Sequence, residues 1–242
     1  MHHTDTIIAV VALAAIVPAA IVSITQERTR TPADPNKPSF VPGHQLHLAV
    51  SNLEAWRRDV LPVIATKTFR ISSGVDLEFF KAILGSVVLP DLHRHVTSLM
   101  FDRFYWFSGV KDNRVSNPDL VAASRFSSLK RLALTFHAAG LTDSLYGEHQ
   151  RLAVERDHEE KSRELRPLRL NEVTAKYDLK RVYRCGALKE LRLECLESGR
   201  ISHYCKADDP LAVFWQLKGW FDEGFRREGM MVVVSLEAKN DD

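Results

Sequence analysis

Cysteine is nearly absent from this chain of 242 residues, which has three, Cys185, Cys195 and Cys205. So small and odd a number excludes a disulfide framework, and the even spacing matches no zinc-binding pattern. The three read as small buried apolar side chains in a reducing compartment. N-glycosylation acceptors are missing too, because none of Asn36, Asn52, Asn113, Asn117, Asn171 and Asn240 has Ser or Thr two places on. Excess charge of one sign is also lacking. Lys+Arg 33 against Asp+Glu 31 gives a net charge of +2, without the basic surplus that neutralising a nucleic-acid backbone favours, so no nucleic-acid partner is expected. Glycines stand singly rather than in a phosphate-cradling loop, and Ser and His occur without a nucleophile-elbow context. His93 with His95, and His203 with Cys205, lie two apart but have no third metal ligand near in sequence. No catalytic residue, metal or cofactor is expected, and the chain does not read as an enzyme.

Apolar residues are plentiful, 45% of the total, enough for one sizeable core. From Ile7 to Ile24 the run IIAVVALAAIVPAAIVSI carries no charge. As a helix it reaches ~27 Å at ~1.5 Å per residue, close to the ~30 Å of a bilayer core. A signal peptide is the rival reading, but its apolar stretch is usually shorter and follows positive charge, whereas MHHTDT has no Lys or Arg. Arg28, Arg30 and Lys37 come after the run, which favours a single-pass membrane protein with a cytoplasmic body over a protein secreted after signal cleavage. Residues 1–27 are thus a hydrophobic N-terminal segment. Residues 28–45, with Pro32, Pro35, Pro38, Pro42 and Gly43, are a linker. Residues 46–242 form the domain, with a charged insertion at 146–186.

Within the domain, helix and strand alternate. Ser51 with Glu54 forms a capping box for a helix from Asn52 to about Ile64, TFRIS at 68–72 reads as a strand, and Ser73 with Asp76 caps a second helix ended by Gly85. Asn117-Pro118 starts a short helix. VERDHEEKSRELR reads as a solvated charged helix inside the insertion, and Asn171 starts an amphipathic helix to about Arg184. Asp208 or Asp209 caps a helix with Leu211, Phe214, Leu217, Phe221 and Phe225 on one face, and Gly229 ends it. MMVVVSLEA is the last strand, with Val232, Val234 and Leu236 inward and Ser235 and Glu237 outward.

Two of the strand segments repeat a phrase. SLKRLALTF at 128–136 and ALKELRLEC at 187–195 share the frame L-x-x-L-x-L, and Val96-x-x-Leu99-x-Phe101 fits it as well. Each unit exposes an apolar strand face and an apolar helix stripe that only a neighbouring unit can cover, so the units stack. The fold class expected is α/β: an irregular leucine-rich-repeat-like stack of strand/helix units, preceded by a hydrophobic N-terminal helix. The frame residues point inward. The alternating residues Ser98, Met100 and Asp102, Arg131, Ala133 and Thr135, and Glu190, Arg192 and Glu194 then form an exposed face fit for a protein partner. Met100, Arg131 and Arg192 are the best placed by type. Phe104, Tyr105, Trp106 and Phe107 follow the first strand, where Trp106 either anchors a partner or packs beneath the stack.

The run WRRDVLPVIATKTFRISSGVDLEFFKAIL resembles the segment after the F-box in a group of fungal F-box-like proteins, with Thr68-Phe69 matching its strand, and LKELRLEC and WFDEGFRREG resemble later parts of that group. The resemblance covers most of 46–238 and implies a degenerate repeat body that binds protein. No LPxEL-like segment precedes residue 46, so recruitment of a ubiquitin ligase core is not expected. The function read from the sequence is a non-enzymatic, membrane-anchored interaction scaffold. Its alternative is an accessory protein or enzyme of a fungal pathway with a site assembled from distant residues.

If the frame is structural, Leu132→Ala or Leu191→Ala costs ~2–5 kcal/mol, while Arg131→Ala or Arg192→Ala stays near ±0.5 kcal/mol. Urea unfolding of the four variants measures this, and equal tolerance at all four would make the frame an accident.

Overall fold

The structure is a computed structural model describing residues 52–72, 74–84, 91–107, 109–110, 115–147, 163–205 and 209–240, with the single positions 150, 154 and 161. The apolar run 7–24, the linker, Ser51, Ser73, Gly85, Asp208 and nearly all of the charged stretch 148–162 lie outside the described residues. Among the described residues no helix is long and apolar enough to cross a membrane.

The chain is mixed α/β. Its strands are β1 (Thr68–Ile71), β2 (Ser98–Phe101), β3 (Arg131–His137), β4 (Thr142–Ser144), β5 (Leu165–Pro167), β6 (Glu190–Glu197) and β7 (Val233–Asn240). All but β4 and β5, which form their own antiparallel pair, belong to one mostly parallel five-stranded sheet. The chain divides into two compact units, one up to Met100 plus Phe126–Lys130, the other Phe101–Arg125 plus Arg131–Asp242.

In the first unit, helix α1 runs as Leu53–Ala55, a π-helical turn Trp56–Val60, and Leu61–Ala65. Asn52, not Ser51, caps it, its Oδ1 accepting from Ala55 N at 3.0 Å. The π turn has a cause in the sequence. Pro62 has no N–H to offer the carbonyl four residues back, and Leu61 N bonds five back, to Trp56 O. Trp56, Val60, Leu61 and Ile64 are buried, and Phe80 of α2 (Gly74–Leu84) sits between Phe69 and Phe126, with ring centroids 5.3 and 5.5 Å away. A short helix α3 (Leu92–His95) precedes β2, which starts at Ser98, two residues into the frame that begins at Val96. Thr97 Oγ1 ties it to α1 by donating to Ala65 O at 2.6 Å.

In the second unit, α4 (Pro118–Ala123) starts as the sequence indicates. Asn117 Oδ1 accepts from Asp119 N at 2.9 Å and Leu120 N at 3.4 Å, and proline takes the first helical position. Asn117 is fully buried, and its Nδ2 donates to Tyr177 O at 3.2 Å while its N–H donates to Asp178 at 3.2 Å. The helix expected from Asn171 to Arg184 is two elements, α5 (Leu170–Lys176) and a 3-10 turn Leu179–Arg184. Asp178 divides them. It adopts φ 54, and its carboxylate accepts from Arg181 Nε at 2.7 Å as well as from Asn117, so the local bonds offset the left-handed backbone.

Helix α6 (Gly199–Tyr204) and helix α7 (Ala212–Arg227) follow β6. Asp209 Oδ1 accepts from Leu211 N at 2.9 Å ahead of α7, and Gly229, at φ +68, closes it with Met230 N bonding back to Phe225 O at 2.8 Å. Phe214, Leu217, Phe221 and Phe225 are buried on one stripe, and α7 packs on β7. Gly224 is buried because Tyr183 lies against it. A Cβ there would stand 1.9 Å from the Tyr183 Oη.

The strands do not form the leucine-rich-repeat stack expected, and the N-terminal helix expected before it lies outside the described residues. β3 and β6 do pair in parallel with Leu132 opposite Leu191 and Leu134 opposite Leu193, so the repeated phrase lies in register side by side. Among the described residues the connections do not repeat. β3 is joined to β6 through a 3-10 turn, the β4/β5 pair, α5 and a second 3-10 turn, whereas β6 is joined to β7 through α6 and α7. The frame therefore records what a buried parallel strand needs on its covered face, without a common unit behind it.

An aromatic cluster locks the second unit. Tyr177, fully buried, stacks on Phe104 at 5.3 Å and meets Phe136 edge-on at 5.2 Å. Its Oη donates to Gly140 O at 3.2 Å, and Lys176 Nζ donates to the same oxygen at 2.8 Å. A Cβ at Gly140 would stand 2.2 Å from Tyr177 Oη but 3.5 Å from Cζ. Gly140→Ala should therefore cost ~1–3 kcal/mol, and Tyr177→Phe alone ~1 kcal/mol. Because removing the hydroxyl relieves the clash, the double variant should cost less than the sum by about 1 kcal/mol in a denaturation cycle. Strict additivity would place Tyr177 elsewhere.

Candidate interaction face

The side-chain period of two, with the register, sets which residues share a face. On β3, β6 and β7 the inward set is Leu132, Leu134 and Phe136, then Leu191, Leu193 and Cys195, then Val234 with the less covered Leu236. The opposite face carries rows matched by pairing: Arg131, Glu190 and Val233, then Ala133, Arg192 and Ser235, then Thr135, Glu194 and Glu237, then His137, Leu196 and Lys239.

The structure thus brings six of the expected face residues together, and it does not expose them equally. Arg131, Glu190 and Arg192 are exposed and Ala133 is half-buried, but Thr135 and Glu194 are buried. Glu194 is overlaid by its own partners. Its Oε1 accepts from Arg192 Nε at 2.9 Å and from Lys239 Nζ at 3.0 Å, and Arg192 Nη2 also reaches Glu237, which raises the Arg192 pKa further. A buried carboxylate between two cations is compensated, whereas one left alone is costly. The Thr135 hydroxyl, beside Glu194 in the register, has no hydrogen-bond partner among the described residues.

The remaining expected positions lie apart from this set. Ser98, on β2 in the first unit, is buried, with its Oγ 3.0 Å from Thr68 Oγ1, because two small hydroxyl side chains pair where a solvent face was expected. Met100 and Asp102 are half-buried. The Trp106 side chain lies outside the described residues, while its neighbours Phe104 and Phe107 are core. Sequence reasoning turned Ser235 and Glu237 outward on the last strand without joining them to this face, and it missed Val233 and Lys239. The signal was present: by extension of the register, Met231-x-x-Val234-x-Leu236 aligns with Leu188-x-x-Leu191-x-Leu193, but methionine and valine stand where leucine announces the frame.

Chemistry elsewhere is sparse. His95 Nδ1 lies 3.0 Å from Asp91 O, and His93 is exposed. Among the described residues no group of three or more His, Cys, Asp or Glu is placed to hold a metal ion. The three cysteines are buried, and burial pushes the Cys185 and Cys195 thiols up to about 12. One cleft in the second unit, about 610 Å³, is lined by Arg166, Leu168, Arg169, Glu172, Asp209 and Gln216 among others. Arg166 holds Glu172 through two bonds of 2.9 and 3.0 Å, and with Arg169 N it brings that carboxyl down to about 2. Comparison of the chain with protein-family models, curated proteins and solved structures found no match.

The Glu194 contacts revise one expectation. Arg192→Ala removes one of two cations from a buried carboxylate and should cost ~1–3 kcal/mol in urea unfolding, whereas Arg131→Ala, on an exposed side chain, should stay near ±0.5 kcal/mol. Equal effects would mean that Glu194 does not depend on Arg192.

Proposed function

We propose that the chain is a non-enzymatic interaction scaffold that binds a protein partner through the outward face of β3, β6 and β7. The observation that carries this reading is the row arrangement itself: exposed Arg131, Glu190 and Arg192 on strands held in register by a buried leucine face. Rigid strands present side chains in fixed positions, which lowers the ordering cost of binding. The likeness of residues 46–238 to the body of fungal F-box-like proteins supports a binding role of this kind, exercised without a ligase core. Residues 7–24 anchor the scaffold to a membrane with its body in the cytoplasm, as the basic residues after that run favour. The cleft beside Arg166, Arg169 and Asp209 supports a second reading, an accessory protein or enzyme acting on a small ligand.

An exchange of charge tests the face. Arg131 and Glu190 stand opposite each other, so the double variant Arg131→Glu with Glu190→Lys keeps their mutual attraction and reverses the pattern offered to a partner. Affinity capture with the full chain should lose its specific partners on this swap while the melting temperature holds. Retention of every partner would remove the face from the function.

A further inference from the structure

β7 stands at the end of the strand order, with β6 on one side and, among the described residues, no strand on the other. The ladder with β6 fixes which backbone groups are left over. Val233 N donates to Lys189 O at 2.9 Å, and in a parallel ladder alternate residues bond to the same neighbour. Val233, Ser235, Glu237 and Lys239 therefore turn their N–H and C=O groups to β6. Val234, Leu236, Ala238 and Asn240 turn theirs to the open edge.

Sheets commonly blunt such an edge with proline, a bulge, a very short strand or charged side chains; the two charged residues of β7, Glu237 and Lys239, are engaged by Arg192 and Glu194 of β6. β7 has eight residues and no proline. Apolar surface stays uncovered where it begins, with Val233 69% exposed and Met231, just before the strand, 87% exposed, although Leu188, level with Met231 by extension of the register, is 1% exposed.

The side-chain pattern selects what can join. Directly opposed residues of antiparallel strands share a face, so two copies of β7 related by a two-fold axis pair about a residue position. Fullest overlap leaves two centres, Glu237 and Leu236. The first sets two carboxylates against each other, an arrangement that like-charge repulsion disfavours. The second places Glu237 opposite the Ser235 hydroxyl, lays the Lys239 stem over exposed Val233, and matches Val234 with Ala238 as a hydrogen-bonding pair. The Lys239 ammonium can stay on Glu194 throughout. We infer that the protein self-associates through the free edge of β7, antiparallel and centred on Leu236, continuing the sheet into a second copy of the chain.

Light scattering on the full chain in mild detergent, over a concentration series, tests this. A concentration-dependent dimer is expected. Ala238→Pro removes an N–H that faces only the open edge, so it should give a monomer with an unchanged circular dichroism spectrum. Ser235→Glu sets a second carboxylate against Glu237 of the other copy and should weaken the dimer about tenfold, whereas Ser235→Lys should tighten it. Should Ala238→Pro fail to fold, the opposed effects of the two Ser235 variants decide. A wild-type chain that stays monomeric overturns the inference. So does a dimer indifferent to the charge at position 235, which would include one held by residues 7–24 or by another surface.

Discussion

The second unit depends on the register of three parallel strands. Leu132, Leu191 and Val234 lie level with one another, as do Leu134, Leu193 and Leu236. A slip of one residue on β6 would turn Leu191 and Leu193 to the solvent and drive Arg192 and Glu194 into the core. Burying an apolar side chain contributes ~1.5–3 kcal/mol, and an unpaired buried charge costs several, so both terms oppose the slip. The same constraint orders the outer face, because side chains can be paired across strands only where their rows are fixed. Arg192, Glu194, Glu237 and Lys239 form one network for that reason.

Around that sheet the elements are held by polar contacts of a different kind. Asn117 reaches from the start of α4 to the Tyr177 carbonyl and the Asp178 carboxylate, and it is fully buried. Tyr177 and Lys176 converge on Gly140 O, and Tyr183 rests on Gly224 of α7. Each of these fixes a 3-10 turn or a helix end, where backbone groups lack partners of their own. The two glycines serve by having no Cβ, a requirement set by a distant tyrosine.

What could be read from the sequence follows the range of the forces involved. The α4 cap, the stripe of α7 and the leucine frame are local patterns, and the structure has all three. The division between α5 and the following 3-10 turn was hidden, since helical spacing continues past Asp178 and the bonds that hold its left-handed backbone include one from Asn117, far away in sequence. The outward face was legible by alternation on β3 and β6. Its interior was not, because nothing in the order LRLEC says that Arg192 and a lysine from the last strand will fold over Glu194. The repeated phrase also said more about strands than about units: leucine every second position describes a covered strand face, whatever connects one strand to the next.

The three sealed cysteines have a consequence for kinetics. A thiol reacts as the thiolate, and a buried one must first be uncovered, the more so for Cys185 and Cys195, which burial holds at about 12. Modification then proceeds no faster than the opening of the surrounding structure, in the manner of amide exchange. Cys195 lies within β6, Cys185 follows the 3-10 turn after α5, and Cys205 follows α6. The chain thus carries three native clocks, one within β6 and two at element ends, and their separate rates would rank the local stabilities of the second unit.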